Sequence, residues 1–490
     1  MSLEELILVA VGGTVVGLAL GRLRQGLTVS LAVPLAGVAA YVGMRAAALT
    51  VPQAFTTTVF VVAYTLIATE RLHKTTVALG GAMVMLVVGL ITQQEAFHGR
   101  GEVTGVDWNT IFLLIGMMII VNIMRHTGVF EWIAIKSAKL ARGEPVAVML
   151  MLALVTALLS AALDNVTTVL LIAPVALLIC QSLEMDVVPT LILVVLASNI
   201  GGTATLIGDP PNIMIGSSAR LTFLDFLKVD GLAILATLTA FALTIKLVMG
   251  RRTRVTAEQR RRVMEFDEAK AITNLPLLRR AVLVTGLTLL GFFFHGWLGL
   301  EPATIALAGA ALMMLLHHEG PEEALREVEW PTIFFFVGLF IMVGTLVKVG
   351  VVGMLGEGML GLTRGNPAAM TMLVLWFSAI ASGIVDNIPF VATMTALIHG
   401  LARTMHPEAA DFLAAAHAPD VYPLWWALSL GACLGGNFTL VGASANVVVA
   451  GLAGRAGHPI SFARFMKYGI PITLQGLVIS SVWLWFLFLR

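Results

Sequence analysis

Long apolar runs alternate with short polar segments along nearly the whole 490-residue chain. A helix needs ~20 mostly apolar residues to cross the hydrocarbon of a bilayer. By that measure the pattern predicts crossings at 3–21, 27–47, 53–70, 75–92, 108–125 and 228–249, then at 281–298, 302–317, 331–347 and 468–488. Runs at 146–182 and 368–403 are too long for one span and too short for two with a loop, so each reads as a re-entrant hairpin, with tips near Asp164-Asn165 and Asp386-Asn387. Runs at 188–216 and 422–450 have an interrupted pattern and read as broken helices. The expected fold is all-α: a polytopic membrane protein of about 12 transmembrane helices with two re-entrant hairpins and two broken helices.

The two interruptions are SNIGGTATLIGDPPNIMI at 198–215 and GACLGGNFTLVGASANVVV at 431–449. Backbone groups freed inside a bilayer must meet protein or line a water-filled cavity. A pair of discontinuous helices in corresponding positions points to a transporter's binding site. Gly201, Gly202, Thr205, Leu206, Gly208 and Asn212 match Gly435, Gly436, Thr439, Leu440, Gly442 and Asn446 at a constant spacing of 234 (435 − 201, 446 − 212). Upstream, Val106, Trp108, Thr110, Ile111, Phe112, Gly116 and Gly128 recur as Val328, Trp330, Thr332, Ile333, Phe334, Gly338 and Gly350 at a spacing of 222 (328 − 106), which Asp164-Asn165 and Asp386-Asn387 share. Thr76, Ala78, Leu79, Gly81 and Ala82 recur as Thr304, Ala306, Leu307, Gly309 and Ala310. The chain therefore divides into extra transmembrane helices at 1–52, a first repeat at 53–250, a charged linker at 251–280 and a second repeat at 281–490. Each copy counts five crossings and one hairpin, and an odd count turns the second copy upside down, as in inverted-repeat transporters.

Composition agrees with this reading. Only 12% of the residues are charged, against roughly 25% in soluble domains, too few to cover a water-facing surface. A net charge of +1 gives no reason to expect nucleic acid. The two cysteines, Cys180 and Cys433, lie in apolar surroundings and imply no disulfide framework. With the Arg-rich linker cytoplasmic, Arg22, Arg24, Arg71, Lys74, Lys136, Lys139, Arg142, Arg455, Arg464 and Lys467 fall on the same side, and fewer basic residues fall outside. That orientation puts both termini outside. The first apolar run follows Glu4-Glu5 and lacks a convincing cleavage site, so it reads as a retained span. Nothing fits GxxxxGK[ST], so the chain itself offers no ATP-driven step. Neither a cofactor nor a metal site is expected, and no enzymatic activity.

Three carboxylates sit within apolar stretches: Asp164, Asp209 and Asp386. An aspartate at the centre of a span costs ~3 kcal/mol, so each is expected to face the protein interior or water. Desolvation favours the neutral form of a carboxyl, which makes the three candidate proton carriers. The blander reading is a helix cap, since Asp and Asn are favoured there. Asn165 and Asn387 offer donors and acceptors at the start of a half-helix, where the dipole faces a solute. Gly201, Gly202, Gly435 and Gly436 permit close backbone approach to a ligand or, alternatively, tight helix packing. Thr203, Thr205, Asn212, Asn437, Thr439, Ser444 and Asn446 are candidate solute contacts, any one of which alone reads as satisfying unwound backbone. Cys433 reads as a buried structural thiol, because two cysteines cannot build a three-thiolate site. His73, His126, His317-His318 and His417 read as solvated, and His295 as a weak relay candidate.

The pattern resembles the ion transporter superfamily, and within it the group holding arsenical pump membrane proteins and the P protein. NIGGTATLIGDPPNIMI, at 199–215, is similar to that group's signature, and the Asp-Asn tips stand where related dicarboxylate carriers place Ser-Asn-Thr sodium motifs. The departure from Ser-Asn-Thr favours protons over sodium. The resemblance implies an integral protein of a bacterial or archaeal cytoplasmic membrane that exports arsenite or antimonite in exchange for protons. In this reading Asp164, Asp209 and Asp386 couple protons, and Asn165, Asn387 and the two breaks hold the solute. A sodium/proton antiporter, an anion channel and the membrane partner of a soluble ATPase subunit are the alternatives.

Overall fold

The computed structural model describes residues 37–38, 40–45, 49–68, 72–98, 105–249, 255–317 and 320–490. The crossing expected at 3–21, and most of the one at 27–47, lie outside the described residues. Among those described, every regular element is helical. Among the described residues, eight helices are long and apolar enough to cross a membrane, and five shorter apolar helices accompany them. Three of the eight are hairpin arms, so the hairpins reach deeper than a short re-entrant loop: each arm of the first has 18 residues, ~27 Å of helix at 1.5 Å per residue.

The chain forms two compact units that do not follow chain order. Of the described residues, one gathers those up to Asp107 with Trp330–Arg364 and Ala392–Ala416; the other gathers those in Trp108–Glu329 with Gly365–Val391 and His417–Arg490. The reason is an exchange of helices between the two copies. Within the first unit, Gly338 of the second copy lies against Ala78 of the first, where an added Cβ would stand 2.6 Å from the Ala78 carbonyl carbon. Within the second unit the repeat-equivalent Gly116 lies against Ala306 at 2.7 Å. Without side chains at those glycines the helix backbones approach closely.

The second unit carries both breaks. Its first hairpin is α1 (Pro145–Ala162) and α2 (Asn165–Ser182), followed by the broken pair α3 (Val187–Gly202) and α4 (Pro210–Ala219). The second hairpin is α5 (Pro367–Ile384) and α6 (Asn387–Met405), of which residues past Val391 belong to the other unit. The second broken pair is α7 (Tyr422–Gly435) and α8 (Ser444–Arg455). Hairpin starts follow one recipe: Glu144 and Asn366 cap them by accepting from Ala147 and Ala369 amides, each at 2.9 Å, with proline next in sequence.

The described part of the linker is docked. Val263 of the helix Ala257–Met264 is fully buried, Arg262 pairs with Glu184 at 2.8 Å, and Glu268 pairs with Lys136 at 3.1 Å and Lys139 at 2.5 Å. The Lys139 ammonium, with Glu268's own backbone amide and Lys136, holds the Glu268 carboxyl down at about 2.

Candidate functional site: two broken helices and two hairpin tips

Each break is a backbone that doubles back where only glycine fits. A Cβ at Gly201 would stand 2.1 Å from the Ala157 carbonyl oxygen, and one at Gly435 would stand 2.5 Å from that of Ala379. Gly202 and Gly208 approach so closely that a Cβ on either would lie 2.5 Å from the other's carbonyl oxygen; Gly436 and Gly442 pair more loosely, at 3.3 and 2.7 Å. These glycines permit the close helix approach and the chain reversal. Pro210 and Pro211 then start α4, where their missing amides cost nothing.

The freed carbonyls are met from within the same break. Asn212 Nδ2 donates to the carbonyls of Gly202, Thr203 and Thr205 at 3.4, 3.1 and 2.9 Å. Asn446 Nδ2 donates to those of Gly436 and Thr439 at 2.8 and 2.9 Å. The threonine hydroxyls tie the breaks to the hairpins: Thr205 Oγ1 donates to Ala161 at 2.5 Å and Thr439 Oγ1 to Gly383 at 2.6 Å. Thr203 Oγ1 donates to the Asn199 carbonyl at 2.8 Å. In this arrangement the three hydroxyl protons serve backbone carbonyls.

Asn199 is the hub, and the residue-by-residue reading passed over it. It accepts from Asn165 Nδ2 at 3.2 Å, and donates to Asn437 Oδ1 at 2.8 Å and Asn446 Oδ1 at 3.0 Å. Asn437 Nδ2 reaches the Leu196 carbonyl at 3.3 Å. Asn165, Asn199, Asn437 and Asn446 are all buried, so a tip, α3 and both halves of the second break share one amide network. Cys433, the repeat equivalent of Asn199, lies 3.3 Å from Asn212 Oδ1, the same cross-copy contact made with a thiol.

The carboxylates differ in employment. Asp164 caps α2 by accepting from the Thr167 amide at 2.9 Å. Asp386 accepts from the Ile388 amide at 3.1 Å and from Ser444 Oγ at 2.7 Å. Asp209 occupies the N-cap position of α4 but makes no side-chain cap bond; its oxygens lie 3.3 and 3.5 Å from Asn387 Nδ2. It is 1% exposed, and both Asp164 and Asp386 lie within electrostatic reach of it. The first break thus meets the second hairpin tip at a buried, uncapped acid.

Two further buried groups escaped the sequence reading. Ser429 adjoins Asn212, and Asp230 adjoins Ser429, Asp230 standing beside Lys228 at what reads as a span end. His295 is held between the Phe223 amide and the Leu300 carbonyl, each at 3.2 Å, which makes it a helix-end clamp rather than a relay. His317 is buried, not solvated. Among the described residues no cluster of three His, Cys, Asp or Glu suits a metal ion.

An apolar helical bundle holding two broken helices and two hairpin tips in one polar network defines a membrane transporter, not an enzyme. Residues 64–431 match the CitMHS family, described as citrate transporter, and the chain belongs to that family. It is 47% identical over 428 residues to an uncharacterized transporter of Mycobacterium tuberculosis, covering 87% of this chain and 97% of that one. It is 33% identical over 498 residues to the P protein of Sus scrofa, covering 86% of this chain and 58% of that one. The crystal structure of the Alcanivorax borkumensis YdaH transporter shares the fold, with a TM-score of 0.51 at 16% identity over 76% of this chain and 84% of that one. These findings establish the superfamily and kinship with the P protein; they do not single out the arsenical branch.

Proposed function

We propose that this protein is a proton-coupled secondary transporter for a small uncharged solute rich in hydroxyls, arsenite and antimonite being the substrates, exported from the cytoplasm. The observation that carries the proposal is the contact of Asp209 with Asn387, which joins the first break to the second hairpin tip through a buried acid. An amide bonds a carboxylate more strongly than a neutral acid, so a proton arriving at Asp209 loosens this junction and a departing one tightens it. Neither Asp164 nor Asp209 meets a Lys, Arg or His among the described residues. A site of acids and amides with no cation at these two carboxyls disfavours a free anion and suits arsenite, mostly a neutral trihydroxide at neutral pH. Inward proton flow supplies ~2.3 kcal/mol per charge per 100 mV.

The family's description favours a second reading, citrate as the solute; a divalent cation bound to it would offset its charge beside these acids. Everted vesicles separate the two. The first reading expects arsenite and antimonite uptake driven by an acidic interior and cut at least tenfold in Asp209→Asn. Citrate uptake that needs magnesium, without metalloid uptake, selects the second. Sodium-driven pH change with neither solute would overturn both in favour of sodium/proton antiport.

A further inference from the structure

We infer that Asp230 is an additional proton-carrying site, wired through Ser429 to Asn212 of the first break. The inference deepens the proton-coupled reading and rests on it for its consequence in transport. Asp230 lies on Leu227–Gly231, a single widened π-helical turn, with its side chain fully buried. Such turns recur at functional sites. This one is clamped: the Val229 carbonyl accepts from Trp483 Nε1 at 2.9 Å, and Gly231 faces the Ala204 carbonyl of the first break.

Asp230 Oδ2 lies 2.5 Å from Ser429 Oγ, and Oδ1 has no hydrogen-bond partner among the described residues. Ser429 Oγ also lies 2.8 Å from Asn212 Oδ1. The three carbonyls that receive Asn212 Nδ2 fix that amide's orientation, so its oxygen faces Ser429 and can only accept. Ser429 owns one proton. If Asp230 is ionised, that proton turns to Asp230 and two lone pairs confront each other at the Asn212 contact. If Asp230 is protonated, it donates to Ser429, which donates to Asn212, and both contacts are hydrogen bonds.

The surroundings offer no cation to hold a charge. From α7 the titratable groups facing this turn are Cys433 and Tyr422, and Asp225 of the preceding turn lies within electrostatic reach of Tyr422. Lys228 of the same turn is exposed, Leu232–Met249 carries Lys246 only in its last turn, and Phe462–Leu484 carries Arg464 and Lys467 at the end away from Trp483. Asp230 has no ion-pair partner among the described residues. An isolated buried charge is costly and neutralises instead.

Packing does not demand an acid here. In the second copy Ser461, Phe462, Phe465 and Lys467 stand where the first has Thr222, Phe223, Phe226 and Lys228, at a spacing of 239 (461 − 222). In that register Gly469 replaces Asp230, and at the spacing of 234 Val195 replaces Ser429. The acid–hydroxyl pair is thus present in one copy only. Loss of its proton turns Ser429 away from Asn212, whose oxygen keeps only Cys433, and so weakens the residue that pins the first break.

Infrared difference spectroscopy of the full chain in lipid, without solute, tests this. The expected result is a carboxylic-acid carbonyl band present at neutral pH, lost at alkaline pH and missing from Asp230→Asn. The same band in Asp230→Asn overturns the inference. If that variant does not fold, Ser429→Ala serves: its band should move to the frequency of a weaker hydrogen bond, and an unmoved band overturns the inference equally. In vesicles, Asp230→Asn should flatten the pH profile of transport, whereas a purely structural role would lower the amount of protein and leave the profile unchanged. Failure of metalloid transport would remove the substrate reading and leave the spectroscopic result standing; a missing band would remove Asp230 and leave Asp209.

Discussion

Asn212 and Asn446, one in each broken helix, turn back on the same pair of carbonyls in their own copies: residues 202 and 205 in one, 436 and 439 in the other. A short amide thereby replaces the helical amides that the break withdraws. Each buried carbonyl left without a donor costs ~1–3 kcal/mol. Asn212→Ala should therefore destabilise the protein by about 2–4 kcal/mol and Asn446→Ala by a little less, because it frees fewer acceptors. Apparent melting temperature in detergent reads this directly, and wild-type melting in both variants would mean that the breaks are held by something else.

Glycine replacement probes the close approach. Gly201→Ala and Gly435→Ala drive a methyl into the Ala157 and Ala379 backbones and should cost ~1–3 kcal/mol, with lower folded yield. Gly286→Ala, where nothing lies within 4 Å, should leave yield unchanged or improved.

The acids should separate by experiment. Asp164→Ala removes a cap and should cost ~1 kcal/mol, with Asp164→Ser recovering most of it. Asp209→Asn removes no cap bond; it should keep or raise thermal stability while proton-driven uptake falls at least tenfold. A parallel loss of stability and transport in Asp209→Asn would argue that this acid is structural.

The linker gives a prediction in pH. Glu268 has a folded pKa depressed from 4.5 to about 2, so its pairing with Lys139 and Lys136 contributes fully above the ordinary value and is lost only as pH falls towards about 2. Hydrogen exchange of the segment 257–273, corrected for intrinsic rate, should match at pH 7 and pH 5. Glu268→Gln should raise exchange at both, and a rise between pH 7 and 5 in the unmodified protein would contradict the assignment.

Residue order alone was enough to reveal an all-helical membrane protein with two interruptions, near-identical spacing between its halves, and acid–amide tips. Hydrocarbon imposes that legibility: a span must be apolar throughout, and any break must announce itself with glycine, proline and short polar side chains. Asp164 as a cap and Asn212 as a backbone substitute were readable for the same reason, since their partners lie within ten residues. Folding in space settled the rest. Asn199 looks like one more polar residue beside a glycine pair until Asn165, Asn437 and Asn446 converge on it, from as far as 247 residues away. Asp209 reads from sequence as a proton carrier or a helix cap, and only the fold brings Asn387 to it across 178 residues. Asp230 looks interfacial until the widened turn carries it inward to Ser429. Local backbone demand is written where it is felt; the meeting of distant side chains is decided by how the two copies exchange their helices.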